Sequence, residues 1–360
     1  MSVPNASWAF KDPLELPALM APKATKALML DVATRAGHVL MVGERGIVLK
    51  CDAQGLNWTQ AQVPVAVNLT GLALASDHIV FAVGHDGVVL KSSDAGSTWI
   101  RVFDGNQANA QVLALAKAKL DAFQAKYDAA SSTVQRTLDA DLEAAQFAFE
   151  DAQAGAKFGP ARPLLGVWFK DERQGWVLGS YGQIFETRDS GASWTLIADR
   201  LDNTDSRHYN ALYGDSTGLL LVAGEAGRVY RSDNFGATWI RLDTGYNGHF
   251  YGTAVLRNGA AGATLFAYGF GGNVYRQRAG ESAWVRLESA SKDSFVRGLV
   301  VGNALVLVDQ KGRFYTADAD SIQLRMLQPP TDKLVTGVVA LGNKWVLSGQ
   351  GGPSTVDRPR

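Results

Sequence analysis

His38-Val-Leu-Met-Val-Gly43-Glu-Arg-Gly46-Ile-Val-Leu-Lys50 returns in the same chain as His78-Ile-Val-Phe-Ala-Val-Gly84-His-Asp-Gly87-Val-Val-Leu-Lys91. In both, an apolar run meets a Gly-x-x-Gly turn and then a second β-rich run. Paired glycines between such runs read as a hairpin, because glycine enters the positive-φ conformations of tight turns. The unit recurs as Gly175-Trp-Val-Leu-Gly179-Ser-Tyr-Gly182-Gln-Ile-Phe and as Leu220-Leu-Val-Ala-Gly224-Glu-Ala-Gly227-Arg-Val-Tyr. Weaker copies follow at Gly269-Phe-Gly-Gly272, Asp309-Gln-Lys-Gly312 and Gly349-Gln-Gly-Gly352. The closing glycines are spaced by 41, 95, 45, 45, 40 and 40 residues. A period of about 40–45 residues is that of one four-stranded propeller blade. The expectation is an all-β fold, a seven-bladed β-propeller, with residues 1–360 forming one domain and the long spacing holding one insertion.

A second turn follows each hairpin. Ser92-Ser-Asp94-Ala-Gly96-Ser-Thr-Trp99 has the pattern Ser/Thr-x-Asp-x-Gly-x-x-Trp. Thr187-Arg-Asp189-Ser-Gly191-Ala-Ser-Trp194 repeats it, and Ser232-Asp-Asn234-Phe-Gly236-Ala-Thr-Trp239 does so with Asn for Asp. Cys51–Trp58 and Gln277–Trp284 are eroded copies. This is the Asp-box. A carboxylate here suits a structural role, accepting backbone N–H groups inside the turn while the tryptophan packs between blades. The last unit, Val335 to Val356, has no box, and Ser7-Trp8-Ala9-Phe10 mimics Ser97-Thr98-Trp99-Ile100. The N-terminus is therefore expected to supply the missing outer strand, so that both termini close the ring.

The insertion reads differently. From Asn106 to Ala154 there is neither Gly nor Pro, and alanine is dense, both marks of helix. Val112, Leu115, Leu120, Phe123 and Tyr127 form one apolar stripe; Val134, Leu138, Leu142, Ala145 and Phe149 form another. Between them, Ser132 and Gln135 have capping-box spacing. Residues 106–158 are thus expected to form an α-helical hairpin, with Lys117, Lys119 and Lys126 of one arm facing the acids of the other. The Gly-x-x-Gly turns and the crossovers between blades share one face of a propeller, which puts the hairpin on that face.

The same face collects Trp168 and Phe169, Ser206-Arg207-His208-Tyr209-Asn210, Tyr246–Gly252 and Ser294–Arg297, with Tyr181 and Glu225 in the turns. Trp168 and Phe169 suit core packing. His208, Tyr209, Tyr246, His249, Tyr251 and Arg297 are candidates for holding a peptide or small ligand over the channel, and Leu115, Phe123, Tyr127, Leu138 and Phe149 of the hairpin for holding a partner. For Tyr246, His249 and Tyr251 the alternative is plugging the channel.

No catalytic residue is assigned. There is no His-Glu-x-x-His pair, Gly-x-Ser-x-Gly elbow or phosphate-binding Gly-x-x-x-x-Gly-Lys-Ser/Thr. The five histidines lack ligand spacing, so no metal or cofactor is expected. Lys plus Arg and Asp plus Glu are each 35, which removes the basic field that nucleic-acid binding needs. Cys51 stands alone, so no internal disulfide forms. No apolar run approaches the roughly 20 residues that span a bilayer. Met1–Trp8 has no basic and apolar leader, leaving the periplasm for a mature chain or the cytoplasm if Met1 is the native start.

Asp-box propellers include sialidases, whose six-bladed ring carries a Phe-Arg-Ile-Pro-like segment. Pro160-Ala161-Arg162-Pro163 does not match it, and seven units are counted. A glycan-binding or glycan-cleaving propeller is the alternative reading. In its Gly43-Glu-Arg-Gly46-type turns, its box copies and the segments Leu164–Phe169 and Tyr246–Gly252, the chain resembles the photosystem II stability/assembly-factor-like family of seven-bladed propellers. That resemblance covers nearly everything outside 106–158. It implies a non-enzymatic accessory role, in the periplasm, binding a membrane-protein partner such as an RND-type transporter. The hairpin is an addition to that pattern.

Overall fold

Each repeat unit folds on itself as a small antiparallel sheet, since its apolar runs are short and divided by turns. The computed structural model describes residues 12–52, 57–257, 259, 262–328 and 333–358. Among them are seven sheets of consecutive strands, six with four strands and one with three. We number these blades 1 to 7. Their innermost strands are Met29–Arg35, Leu69–Leu74, Leu164–Phe169, Tyr209–Gly214, Phe250–Arg257, Phe295–Val301 and Val335–Leu341.

Side chains alternate between the two faces of a strand, and here both faces are covered. Leu40 and Val42 of blade 1 pack with Leu69 and Val80 of blade 2, whereas Val39 and Met41 pack with Val339 and Val346 of blade 7. Equivalent apolar clusters join every other pair of neighbours. A strand buried on both faces needs a continuous apolar run, which is why the second strands read Val-Leu-Met-Val and Leu-Leu-Val-Ala without polar interruption.

Blade 7 has three strands, Val335–Leu341, Lys344–Gly349 and Ser354–Asp357. The strand expected from Ser7–Phe10 lies outside the described residues. The seam between blades 7 and 1 carries another feature. In blades 1, 4 and 5 the closing turn glycine lies against the crossover to the next blade: a Cβ on Gly46, Gly227 or Gly272 would sit 2.0, 1.8 or 2.1 Å from the carbonyl oxygen of Val65, Tyr246 or Ser291. In blade 7 the same position, Gly352, faces the Thr25 carbonyl at 1.9 Å. Residues just before blade 1 thus occupy a crossover's place.

The first glycine of each turn has a different use from the one expected. Gly43, Gly84 and Gly179 have extended backbones, with φ −162°, −171° and −172°, which any residue adopts. They are glycine because the chain entering the innermost strand passes over them. Their Cβ atoms would lie 2.2, 2.2 and 2.1 Å from the carbonyl oxygens of Leu28, Asn68 and Pro163. Positive φ belongs to the two residues that follow the first helical one, as in Arg45 and Gly46 or Asp86 and Gly87.

In the box turns, Asp94 accepts from the Ser97 and Thr98 amides at 3.0 and 2.9 Å and from the Thr98 hydroxyl at 2.6 Å. The Ser92 hydroxyl donates to it at 2.7 Å and accepts from the Gly96 amide at 2.8 Å. Trp99 Nε1 donates to the Gly96 carbonyl, and its ring is buried between blades 1 and 2. Asp189 takes the Ser193 amide and hydroxyl and the Thr187 hydroxyl, and Trp194 packs between blades 2 and 3. Gly191 leaves room for Phe81, and Gly236 for Trp176. Trp239 packs on the cluster between blades 3 and 4.

Desolvation works to raise the Asp94 carboxyl, but hydrogen bonds from Thr98, Ser92 and Ser97 outweigh it and hold the group at about 2. Chiefly the Ser193 hydroxyl and amide lower Asp189. Both folded values lie below the ordinary carboxylate value near 4. Their contribution to stability is complete above about pH 4 and is lost as pH falls toward 2. Asn234 makes the same turn without titrating, its Oδ1 accepting from the Thr238 amide and its Nδ2 donating to the Thr238 hydroxyl. The double substitution Asp94→Asn/Asp189→Asn is therefore expected to change stability little at pH 7. It should flatten the fall of the urea midpoint between pH 4 and pH 2. An acid limb identical to wild type would contradict this.

The insertion forms α1 (Gly105–Asp128) and α2 (Ser132–Phe158). At 1.5 Å per residue, α1 is about 36 Å long. Its base lies on the Gly-x-x-Gly face, where Gly87 packs directly on Gly105. The capping box belongs to Asp104 and Gln107 at the start of α1. At the inter-helix turn, Ser131 is the N-cap with no side-chain cap bond, and Gln135 Nε2 donates to the Tyr127 carbonyl. The box read at Ser132 and Gln135 does not form, because that glutamine is spent closing the turn. Among the described residues no salt bridge joins the two helices. Lys117 pairs with Asp121 on its own helix, while the Asp139 carboxylate of α2, near the Tyr127 phenol of α1, raises that phenol above its ordinary value.

Candidate functional site

The ring has its narrowest part where the seven innermost strands meet. Each of these strands carries an irregularity near its start that leaves one residue unpaired: Leu30, Thr70, Leu165, Asn210, Tyr251, Val296 and Thr336. Such a bulge re-aims side chains locally, and all seven line a central cavity of about 310 Å³. Three of them tie their blade to the next: Thr70 donates to the Leu164 carbonyl, Asn210 to Phe250 and Thr336 to Met29.

The residue after the bulge is Gly71, Gly166, Ala211, Gly252 and Gly337 in five blades, but Asp31 and Arg297 in blades 1 and 6. These two form an ion pair. Arg297 passes over Gly337 of blade 7, whose missing Cβ would be 3.5 Å from Nη2, and also donates to the Val32 carbonyl at 3.4 Å. Asp31 further accepts the Val32 and Leu72 amides at 2.8 and 2.9 Å. Desolvation lowers the Arg297 guanidinium to about 10, so it is a cation at neutral pH. The pair is a crossbar, with a second, more apolar cavity lined by Val32, Val300 and Val339 on its other side. Arg297, a candidate ligand-holding residue, is thus engaged by Asp31, a partner that sequence reasoning missed.

On the turn face, Glu225 gathers two of the expected residues. Its carboxylate accepts the His208 amide at 2.9 Å and lies 3.6 and 3.8 Å from the Nδ1 atoms of His208 and His249. His208 packs against Tyr181, with ring centroids 4.8 Å apart, and the Arg162 guanidinium lies 4.7 Å over the same tyrosine. Arg162 pairs in turn with Asp151 of α2 at 3.0 Å. A polar and aromatic track therefore runs from the hairpin across blades 3 and 4 to His249. Tyr251 is partly exposed at the channel. Tyr209 is buried edge-on against Tyr230 and belongs to the core. Tyr246 is packed beneath Phe250 and Tyr275. Their strand-start and crossover positions carry them into the inter-blade clusters.

The hairpin is fixed to the ring at its base. Gln111 Nε2 donates to the Trp194 carbonyl and its Oε1 accepts the Leu196 amide, so α1 satisfies the outer edge of blade 3. Asn109 donates to the carbonyls of Gly155 and Gly159. Between the helices and blades 3 and 4 runs a groove of about 560 Å³, its walls including Val112, Leu115, Phe147, Ala148, Tyr181 and Leu196. Of the hairpin residues expected to meet a partner, Leu115 lines this groove. Leu138 is buried, and Phe123, Tyr127 and Phe149 are half-buried. Phe147 and Tyr181 are 71% and 51% exposed, so the groove opens through aromatic side chains that the stripe analysis did not single out for binding.

No group of three or more metal-ligating side chains occurs among the described residues, and no helix among them is long and apolar enough to cross a membrane. The family model for the photosynthesis system II assembly factor YCF48 matches residues 156–318. No curated protein matches the chain in sequence. Among solved structures it is similar to YCF48 bound to D1 peptide, with TM-score 0.62 and 12% identity over 98% of this chain and 99% of that one. It is similar to YCF48 from Cyanidioschyzon merolae at TM-score 0.61 and 13% identity, over 93% and 97% of the two chains. The structure of U3-55K matches at TM-score 0.61 and 10% identity, over 91% and 90%. Identities this low speak for the fold alone: with the repeat units and the ring geometry, they make this chain a β-propeller similar in fold to the YCF48 structures.

Proposed function

We propose that the chain is a non-catalytic scaffold that binds a protein partner through its turn face and helical hairpin. The partner is a membrane protein, an RND-type transporter, and the site of action is the periplasm. The observation that carries the reading is the open groove between the hairpin and blades 3 and 4, next to the Arg162–Tyr181–His208–Glu225–His249 track. A rigid ring supports an addition whose base is hydrogen-bonded in place, which is how a recognition surface is held in one geometry. A similar propeller has been described holding a peptide. The glycan-cleaving alternative draws no support from the channel: glycoside hydrolysis ordinarily uses two facing carboxyl groups. The described lining contains one, Asp31, and Arg297 occupies it.

Affinity purification from solubilised membranes tests the reading, comparing the full chain with one lacking 112–152. That deletion keeps Gln111 on the edge of blade 3. The expected result is a transporter retained by the full chain and lost on deletion. Retention of no membrane protein by either would overturn it.

A further inference from the structure

Blade 5 departs from the other blades where it meets the channel. On the rung facing the post-bulge residue, they carry Val42, Val83, Leu178, Ala223, Val308 and Ser348, whereas blade 5 carries Tyr268. Two glycines make room for it: a Cβ on Gly252 or Gly298 would lie 2.1 or 2.7 Å from its ring. The Tyr268 oxygen accepts the Gly298 amide at 2.7 Å, and burial pushes the phenol up, so its own proton stays and can be donated. The next residue along the innermost strand is Val32, Leu72, Val167, Leu212 or Val338 in five blades, but Thr253 in blade 5. Thr253 is 8% exposed, and its hydroxyl has no hydrogen-bond partner among the described residues. Such a hydroxyl is costly at a position where valine fits elsewhere in the ring.

Tyr268, Thr253 and Arg297 all line the central cavity of about 310 Å³. Arg297 Nε has no partner either, although Nη2 is paired with Asp31. Blades 5 and 6 therefore present an arc whose unspent groups are donors. The polar bulge residues Thr70, Asn210 and Thr336 have given theirs to neighbouring blades. Across the channel, blades 2 and 3 supply an apolar wall of Leu72, Leu165 and Val167. Asp31 and Arg297 are the charged side chains of the described lining, and they neutralise each other. An ion of either sign would be buried there without a counter-charge.

We infer that the central cavity binds a compact, uncharged carbonyl compound of the cyclic ketone, lactone or lactam class. Its carbonyl faces the Thr253–Tyr268–Arg297 arc, and its ring lies against the wall of blades 2 and 3. The donors call for an acceptor, the cancelled charges for a neutral molecule, and the volume, at the low end for ligand pockets, for a small one. This site is separate from the groove and the hairpin, since none of residues 112–152 lines it.

The test is ligand-observed NMR titration of the intact protein with cyclohexanone, δ-valerolactone and δ-valerolactam, against cyclohexanecarboxylate and cyclohexylammonium. At least one neutral probe should bind saturably and at least tenfold more tightly than either ion. Thr253→Val should weaken that probe at least fivefold while leaving Tm unchanged or raised. Thr253→Ser, which keeps the hydroxyl, should bind within twofold of wild type. Tighter binding of an ion, equal binding by wild type and Thr253→Val, or an equal loss in the serine and valine variants would each overturn the inference. So would the absence of saturable binding by all three neutral probes, the result expected if water alone fills the cavity. Deletion of 112–152 should leave probe binding unchanged, so failure here and failure of the partner-binding scaffold are read separately.

Discussion

Arg297→Ala is expected to destabilise the ring by about 3 kcal/mol, the low end of the range for breaking a buried ion pair. The low end applies because the Arg297 side chain is 33% exposed toward the channel, against 12% for Asp31. Most of the loss arises on the other side of the pair. Asp31 keeps two backbone donors but becomes a largely buried carboxylate with no cation. Unfolding entropy of about 2.1 cal/mol/K per residue converts the loss to roughly 4 °C in Tm. Asp31→Asn/Arg297→Met should recover most of it, since no charge is then stranded. A Tm within 1 °C of wild type for Arg297→Ala would mean that the crossbar contributes nothing to the ring.

Gly227→Val should cost more, about 4 kcal/mol or beyond, at the exceptional end for single substitutions. The valine Cβ would sit 1.8 Å from the Tyr246 carbonyl oxygen and 2.6 Å from its carbon. Both are backbone atoms of the crossover into blade 5, so a rotamer change brings no relief. Gly227 also has φ +64°, where a β-branched residue is a steric outlier. Gly271→Asn is the matched control. Its φ is +62° and the nearest atom to a Cβ is 3.6 Å away. Other blades place Arg45, Asp86, Tyr181 and Ala226 at that corner with φ of 52–57°. The change should stay within about 0.5 kcal/mol, as surface substitutions away from special features do. Chemical denaturation of the two variants separates close backbone approach from positive φ as the reason for glycine. Similar costs at both positions would sink the distinction.

The blades were legible because each is a local unit: two hairpins and a turn, all within about 45 residues, repeated with little change. The hairpin was legible through its missing Gly and Pro and its stripes. Relations between blades were not. Asp31 and Arg297 belong to different units, and neither sits in a repeated motif; the pattern around them, a small residue two places into each innermost strand, was visible in Leu69-Thr-Gly71 and Phe250-Tyr-Gly252. Glu225 could be placed in a turn, but not between two histidines 41 residues apart. Tyr209 and His208 are neighbours with opposite fates: Tyr209 opens its strand and enters the inter-blade core, whereas His208, just before the strand, stays on the turn face beside Glu225 and Tyr181. The groove side of α2 was hidden by its alanines, which serve helix formation and close packing equally well. Phe147 was its signal.

The Asp31–Arg297 crossbar also sets an order in time. The two residues are 266 positions apart, so at about 5–20 residues per second a ribosome needs roughly 13–53 s to pass from one to the other. Throughout that interval Asp31 has the Val32 and Leu72 amides and water, but no cation. The early blades can pair their own strands as they emerge, but the central bond waits for the sixth. The nascent chain therefore grows as an open arc and becomes a circle only near the end of synthesis.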